Sequence, residues 1–198
     1  MANENIVLLA AYLLLVFGGG MVANMISRRK GAKLPPFFSA GGWRAVAGEF
    51  RKNLVFLAVS LIDVALMAMG ALALYGGAYS LPLVALGLLA IAASMPVLFL
   101  ARRDLAEGWK MSVKPGEGQR LVTAGIYSKI RHPINASFFI LVLGMALVAG
   151  SPLAALLFAL HSVGLLLRTR QEEKELAERF GEEYADYARK VPAFIPRL

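Results

Sequence analysis

The chain has 198 residues, 58% of them hydrophobic, with a mean hydropathy of +0.62 and a formal net charge of +8. That apolar share exceeds what an ordinary soluble domain carries, and the absence of cysteine excludes disulfides and thiolate metal centres. Two widely separated histidines, neither beside a carboxylate at ligand spacing, argue against a metal. No basic patch is interleaved with aromatics as in nucleic-acid readers, so neither nucleic acid nor a metal is an expected partner.

The apolar residues come in blocks. The first, residues 6–26, is too long for a signal-peptide core and no basic residue precedes it, so it reads as a membrane helix. The "FGGG" at 17–20 lies inside it and reads as a close-packing surface, not a nucleotide loop. Residues 27–53 are polar. "KLPPFF" is an extended link, and Trp43, Val46, Phe50 and Leu54 then recur at helix spacing, which suits an interfacial helix or a loop equally well. Residues 54–75 and 81–100 form the second and third spans, each near the ~20 residues a bilayer crossing needs. A polar excursion, 101–133, contains "RRDLAEGW" and the turn "KPGEG", whose "GEG" lacks the strand–turn–helix setting of a dinucleotide site. It ends in "GIYSKIRHP". The apolar run 134–167 is too long for one crossing and is broken by "GSP" at 150–152, giving spans 134–149 and 152–167. From 168 onward Leu176, Phe180, Tyr184 and Tyr187 recur every three to four residues, as in an amphipathic helix continuing from the last span until "VPAFIP".

The expected fold is therefore all-α: one integral membrane domain, 1–198, with five transmembrane helices and a cytoplasmic C-terminal helix. Helices are required because lipid offers the backbone no hydrogen-bond partners and these blocks do not alternate like barrel strands. Of the 21 Lys and Arg, seven lie at 28–52, seven at 102–131 and seven at 168–197. Five crossings place all three groups on one side. The positive-inside rule then puts the N-terminus outside and the C-terminus in the cytoplasm, with the net charge facing anionic membrane lipids.

Two polar residues stand out within the spans. Asp63 is the only acid there and His161 lies in the fifth span. Each suits a structural hydrogen bond or a site facing the protein interior. His161, Arg168 and Glu172 fall on one helical stripe running from membrane to surface. As a solvated face, the stripe would contribute only a surface ion pair.

Three pieces together resemble the isoprenylcysteine carboxyl methyltransferase family and its phospholipid-methyltransferase relatives. They are "GQRLVTAGIYSKIRHP" at 118–133, Arg168 followed by Glu172 and Glu173, and "FGEEYADYARKVPAFIP" at 180–196, with "RRDLAEGW" as a weaker fourth. The resemblance implies an integral membrane enzyme that uses S-adenosylmethionine and methylates a lipophilic small-molecule or lipid acceptor; the expected location is a prokaryotic cytoplasmic membrane. By motif, Gln119, Leu121, Val122, Gly125, Tyr127, His132, Pro133, Glu172 and Glu173 would bind the cofactor, in a region formed by 101–133 and 168–198. Arg168 and Glu172 would be catalytic. The family has Tyr two residues after Arg-His-Pro where this chain has Asn135, which bears on the acceptor. The competing readings are an NADPH-dependent sterol-type reductase and a non-catalytic lipid-binding membrane protein.

Overall fold

The computed structural model describes residues 2–29, 54–110 and 121–196. Among them are six helices and no strand: α1 (Ala2–Arg29), α2 (Leu54–Gly76), α3 (Leu81–Lys110), α4 (Pro133–Ala149), α5 (Pro152–Phe180) and α6 (Glu182–Lys190), with a 3-10 turn at Gly125–Ser128. The all-helical expectation holds. Three stretches are long and apolar enough to cross a membrane: Ala58–Gly76, Leu81–Leu105 and Pro152–Phe180. Glu4–Phe17 and Pro133–Ala149 are shorter apolar helices. The interfacial-helix expectation at 43–53 and the close-packing surface expected at Gly18–Gly20 lie outside the described residues.

Local chemistry sets the helix ends. Gly150 takes a left-handed φ of 57° to close α4, Ser151 accepts the Ala154 N–H at 3.1 Å as the α5 cap, and Pro152 occupies the first turn. This is the tight turn expected from "GSP". The C-terminal parts of α3 and α5 carry charged residues, among them Arg103 and Asp104 on α3 and Arg168, Glu172 and Glu173 on α5, so both helices bring polar side chains to the site. The continuous helix expected from 168 to the tail prolines is instead broken at Gly181, whose φ of 53° and ψ of −125° lie outside the helical region. The apolar stripe survives the break, because both pieces face the same cleft.

The core is formed by Tyr12 of α1, Leu66 and Leu74 of α2, Val84 and Ile91 of α3, and Leu141, Val142, Met145 and Val148 of α4. α3 and α4 approach most closely at Gly87 and Gly144, where a Cβ on either residue would lie 2.7 Å from the other's carbonyl oxygen. Small residues at such a crossing allow the backbones to pack in contact. Large apolar side chains point outward, among them Leu14, Leu61, Leu72, Leu89 and Leu153. An outward apolar surface on helices of this length is that of an integral membrane protein.

Among the described residues, the segments without Lys or Arg meet at one physical end of the bundle. Tyr79 donates to Asn5 Oδ1 at 2.9 Å, and Leu83 lies beside Gly150. Asp63 and His161 meet between α2 and α5, with Oδ1 and Nδ1 2.7 Å apart. The atoms are not aligned for a hydrogen bond, so the contact is an electrostatic pairing of the two polar groups singled out in the spans.

Candidate functional site

The site lies at the opposite end, where the C-terminal part of α3, the start of α4 and the polar half of α5 come together. Asp104, on the polar extension of α3, is buried and accepts the Ile126 N–H at 2.7 Å through Oδ2. Arg103 holds its other oxygen at 2.7 Å. Gly125 makes this contact possible: its φ is +64°, and a Cβ there would lie 2.0 Å from Asp104 Oδ2. The 3-10 turn that follows directs Tyr127 inward, and Tyr187 of α6 donates to the Tyr127 carbonyl at 2.7 Å. Burial raises both phenols, Tyr187 to about 12, so both stay neutral at physiological pH.

Arg-His-Pro then does three separate jobs. Pro133 starts α4. His132, 3% exposed, stands between two carboxylates, with Nε2 3.1 Å from Glu173 Oε1 and Nδ1 3.4 Å from Glu172 Oε2. Arg131 clamps the tail: its guanidinium meets Glu173 Oε1 at 2.5 and 3.1 Å and donates to the carbonyls of Ala188 and Val191. The Arg131 and His132 N–H groups donate to the Pro192 and Ala193 carbonyls at 2.9 and 3.0 Å, which straps residues 191–194 across the site.

Glu172 and Glu173 lie on the polar C-terminal half of α5. Burial alone would raise both carboxyls. For Glu172 the hydrogen bonds from His132 and Asn135 and the charge of Arg168 outweigh burial, and for Glu173 those from Arg131 and His132 do, so both are held below the ordinary carboxylate range. A depressed folded value contributes stability that is present above the unfolded pKa and lost as pH falls through the folded one. Tail docking should therefore be constant near neutral pH and weaken below about pH 4.5, the unperturbed Glu value. Hydrogen exchange of residues 191–196 across a pH series checks this. Protection unchanged down to about pH 3 would show that Glu173 does not hold the tail.

Two cavities flank this framework. A cleft of about 230 Å³ is lined by Leu121, Val122, Tyr127, Arg131 and Ile134 on the loop side and by Glu172, Leu176, Phe180, Tyr184 and Tyr187 on the helical side. It offers one carboxylate, the guanidinium groups of Arg131 and Arg179, and several aromatic faces. The Tyr184 hydroxyl is buried there beside Arg131. A groove of about 330 Å³ runs between α4 and α5, lined by Ala136, Phe139, Ile140, Leu165, Leu166 and the tail residues Phe194 and Ile195. Apart from Ser162, whose hydroxyl bonds back to Phe158, its lining is apolar.

Of the residues singled out in the sequence, Leu121, Val122, Tyr127 and Glu172 line the cleft together. His132 and Pro133 lie buried behind it, Glu173 belongs to the tail clamp, and Gly125 faces Asp104. Arg168 lies on an exposed face of α5, close enough to act on the Glu172 charge. Gln119 lies outside the described residues. Asp104, Arg131 and Thr169 join the site without having been expected there from the sequence, in which Tyr184 and Tyr187 show only as part of an amphipathic stripe. "RRD" at a span's end and the Arg of Arg-His-Pro were the available signals for the first two. Among the described residues, no group of three or more His, Asp or Glu could hold a metal ion.

A sequence model described as the isoprenylcysteine carboxyl methyltransferase (ICMT) family matches residues 83–178. Protein-S-isoprenylcysteine O-methyltransferase of Schizosaccharomyces pombe is 38% identical over 86 residues, covering 43% of this chain and 36% of the relative. The Mus musculus protein of the same name is 37% identical over 78 residues, 38% of this chain and 27% of the relative. Methanethiol S-methyltransferase 2 of Bradyrhizobium diazoefficiens is 39% identical over 83 residues, 41% of this chain and 30% of the relative. The chain thus spans about a third of the length of these relatives. The resemblance read from the motifs is borne out over α3, the Arg-His-Pro loop, α4 and most of α5. The family match stops short of α6 and the tail.

Proposed function

We propose, from the premise that residues 83–178 are of the isoprenylcysteine carboxyl methyltransferase type, that this protein is an integral membrane methyltransferase. Its methyl donor is S-adenosylmethionine and its acceptor is a lipophilic molecule that arrives from the bilayer. The observation that carries this reading is the adjacency of a polar cleft, bearing Glu172 and aromatic rings, to an apolar groove between α4 and α5. The donor set fits the cofactor. Its sulfonium and ammonium groups are cations, which suit a carboxylate and aromatic faces, and Glu172, Tyr127, Phe180, Tyr184 and Tyr187 supply these in the cleft.

When bound, the cofactor supplies an activated methyl group for in-line displacement. The protein's part is alignment and exclusion of water. Glu172 and His132 hold the donor side, the strapped tail covers it, and the groove orients the acceptor. Arg168, exposed on α5 and acting on the Glu172 charge, is assigned to the acceptor, since a planar guanidinium binds an anionic acceptor or steadies developing negative charge. Relatives named for a prenylated cysteine and for methanethiol share the methyl-transfer chemistry but not the acceptor. The acceptor class here is therefore left as lipophilic.

Calorimetry on the detergent-solubilised protein tests the reading. S-adenosylmethionine or its demethylated product should bind without added metal, and labelled methyl donor with native membranes should label a lipid. Binding of NADPH with no response to either sulfur nucleotide would favour the reductase reading instead.

The same reading places the Lys- and Arg-free end of the bundle outside the membrane and the site in the cytoplasm, with five crossings. The native chain lacks cysteine, so Ser80→Cys gives a single thiol at that end. It should react with a membrane-impermeant reagent in intact cells. Reaction only after permeabilisation would invert the topology.

A further inference from the structure

Asn135 stands on the wall between the two cavities. Its neighbours on α4 face opposite ways, Ile134 into the cleft and Ala136 into the groove. Across from it on α5, Glu172 lines the cleft and Leu165 the groove. Asn135 is buried, and its Nδ2 donates to Thr169 Oγ1 and to Glu172 Oε2, both at 3.1 Å. A carboxamide nitrogen has two protons, so both bonds can be made at once. Thr169, also buried, donates in turn to the Leu165 carbonyl at 2.9 Å, which fixes its hydroxyl as the acceptor for Asn135. The Glu172 oxygen that receives the amide is the one that faces His132 Nδ1 at 3.4 Å. Glu172 is otherwise a half-exposed side chain on a polar helix, free to turn into water without these contacts.

We propose that Asn135 is a positioning residue for methyl transfer. Anchored by Thr169, it holds the Glu172 carboxylate at the junction of cleft and groove, in the orientation that receives the cationic donor. The proposal rests on the reading of Glu172 as a donor-binding group. It assigns a function to the position where the sequence departs from its family pattern: Asn135 reaches across to α5 with a directed amide and ties the start of α4 to the carboxylate. The cost of an untethered Glu172 is the rotamer freedom it must lose when the donor binds.

A double-mutant cycle on the full chain tests this, with S-adenosylmethionine affinity read by calorimetry and thermal midpoints measured in parallel. Asn135→Ala should weaken affinity about five- to tenfold in the native background, the range of one lost charge-assisted hydrogen bond acting indirectly. In a Glu172→Ala background the same substitution should change affinity less than about twofold, because the two act as one unit. Thr169→Val keeps the shape of the helix contact and removes the anchor. It should show the same background dependence with a smaller loss, and it serves if Asn135→Ala does not fold. Equal weakening in both backgrounds would mean that Asn135 supports only the helix packing, and the proposal fails. Native affinity in a folded Asn135→Ala would also overturn it. Native affinity in Glu172→Ala would instead overturn the donor-site reading, and the proposal with it.

Discussion

Glu172→Ala is expected to weaken S-adenosylmethionine binding by roughly ten- to a hundredfold, the value of one charge-assisted hydrogen bond or ion contact. Glu172 lines the cleft and is held ionised by His132, Asn135 and Arg168. Its side chain is about half exposed, so its removal should cost the fold little. His132→Ala should weaken binding as well, but with a measurable loss of stability. His132 is buried, and its removal leaves a void between two carboxylates. Arg168→Ala should behave differently in kind, lowering turnover with donor binding largely kept. Arg168→Lys should recover little, since an ammonium cannot make a planar two-pronged contact. Affinity and turnover must be measured separately on each variant. Native values for both in Glu172→Ala and Arg168→Ala would reduce the stripe to a solvated helix face.

Gly125→Ala is expected to be the most damaging small substitution in the loop. The left-handed φ of +64° costs a side chain ~1–2 kcal/mol. The new Cβ would lie 2.0 Å from Asp104 Oδ2 and 2.5 Å from its Cγ, so the carboxylate must move. Asp104 is buried and paired with Arg103, and displacing it strips the Ile126 N–H of its acceptor, for a further ~1–3 kcal/mol. Tyr127 follows directly and lines the cleft, so donor binding should fall together with the thermal midpoint. Gly181→Ala is the matched control. It has a similar φ of +53°, but a Cβ there meets nothing within 4 Å, so only the backbone cost applies. Equal midpoint losses in the two variants would show that Asp104 does not organise the loop.

The contrast between these glycines shows what kind of information each level holds. Both are visible in the sequence as punctuation, yet only one has a carboxylate underneath it. Gly181 breaks a helix that the sequence presents as continuous, because the apolar stripe of Leu176, Phe180, Tyr184 and Tyr187 runs across it and mimics one helix. Its four members still face one cleft, so the stripe was informative about burial and misleading about continuity.

By itself, the sequence determined whatever depends on near neighbours along the chain. Run length and apolarity set the helical spans, since lipid leaves the backbone no other way to satisfy its hydrogen bonds. Gly150-Ser151-Pro152 determined the α4–α5 turn, and Pro133 the start of α4, through φ preferences and capping that act within a few residues. The position of the basic residues marked one end of the bundle as different from the other. Only the tertiary structure decided which distant polar groups meet. Ile126 reaches Asp104 from 22 positions away and Asn135 reaches Glu172 from 37, while Asp63 finds His161 across two spans. These pairings follow from how closely the helices pack, set by contacts such as Gly87 on Gly144. A side chain at the start of α4 gives no local sign of the carboxylate it will face, because burial and partner are properties of the assembled bundle and not of the segment.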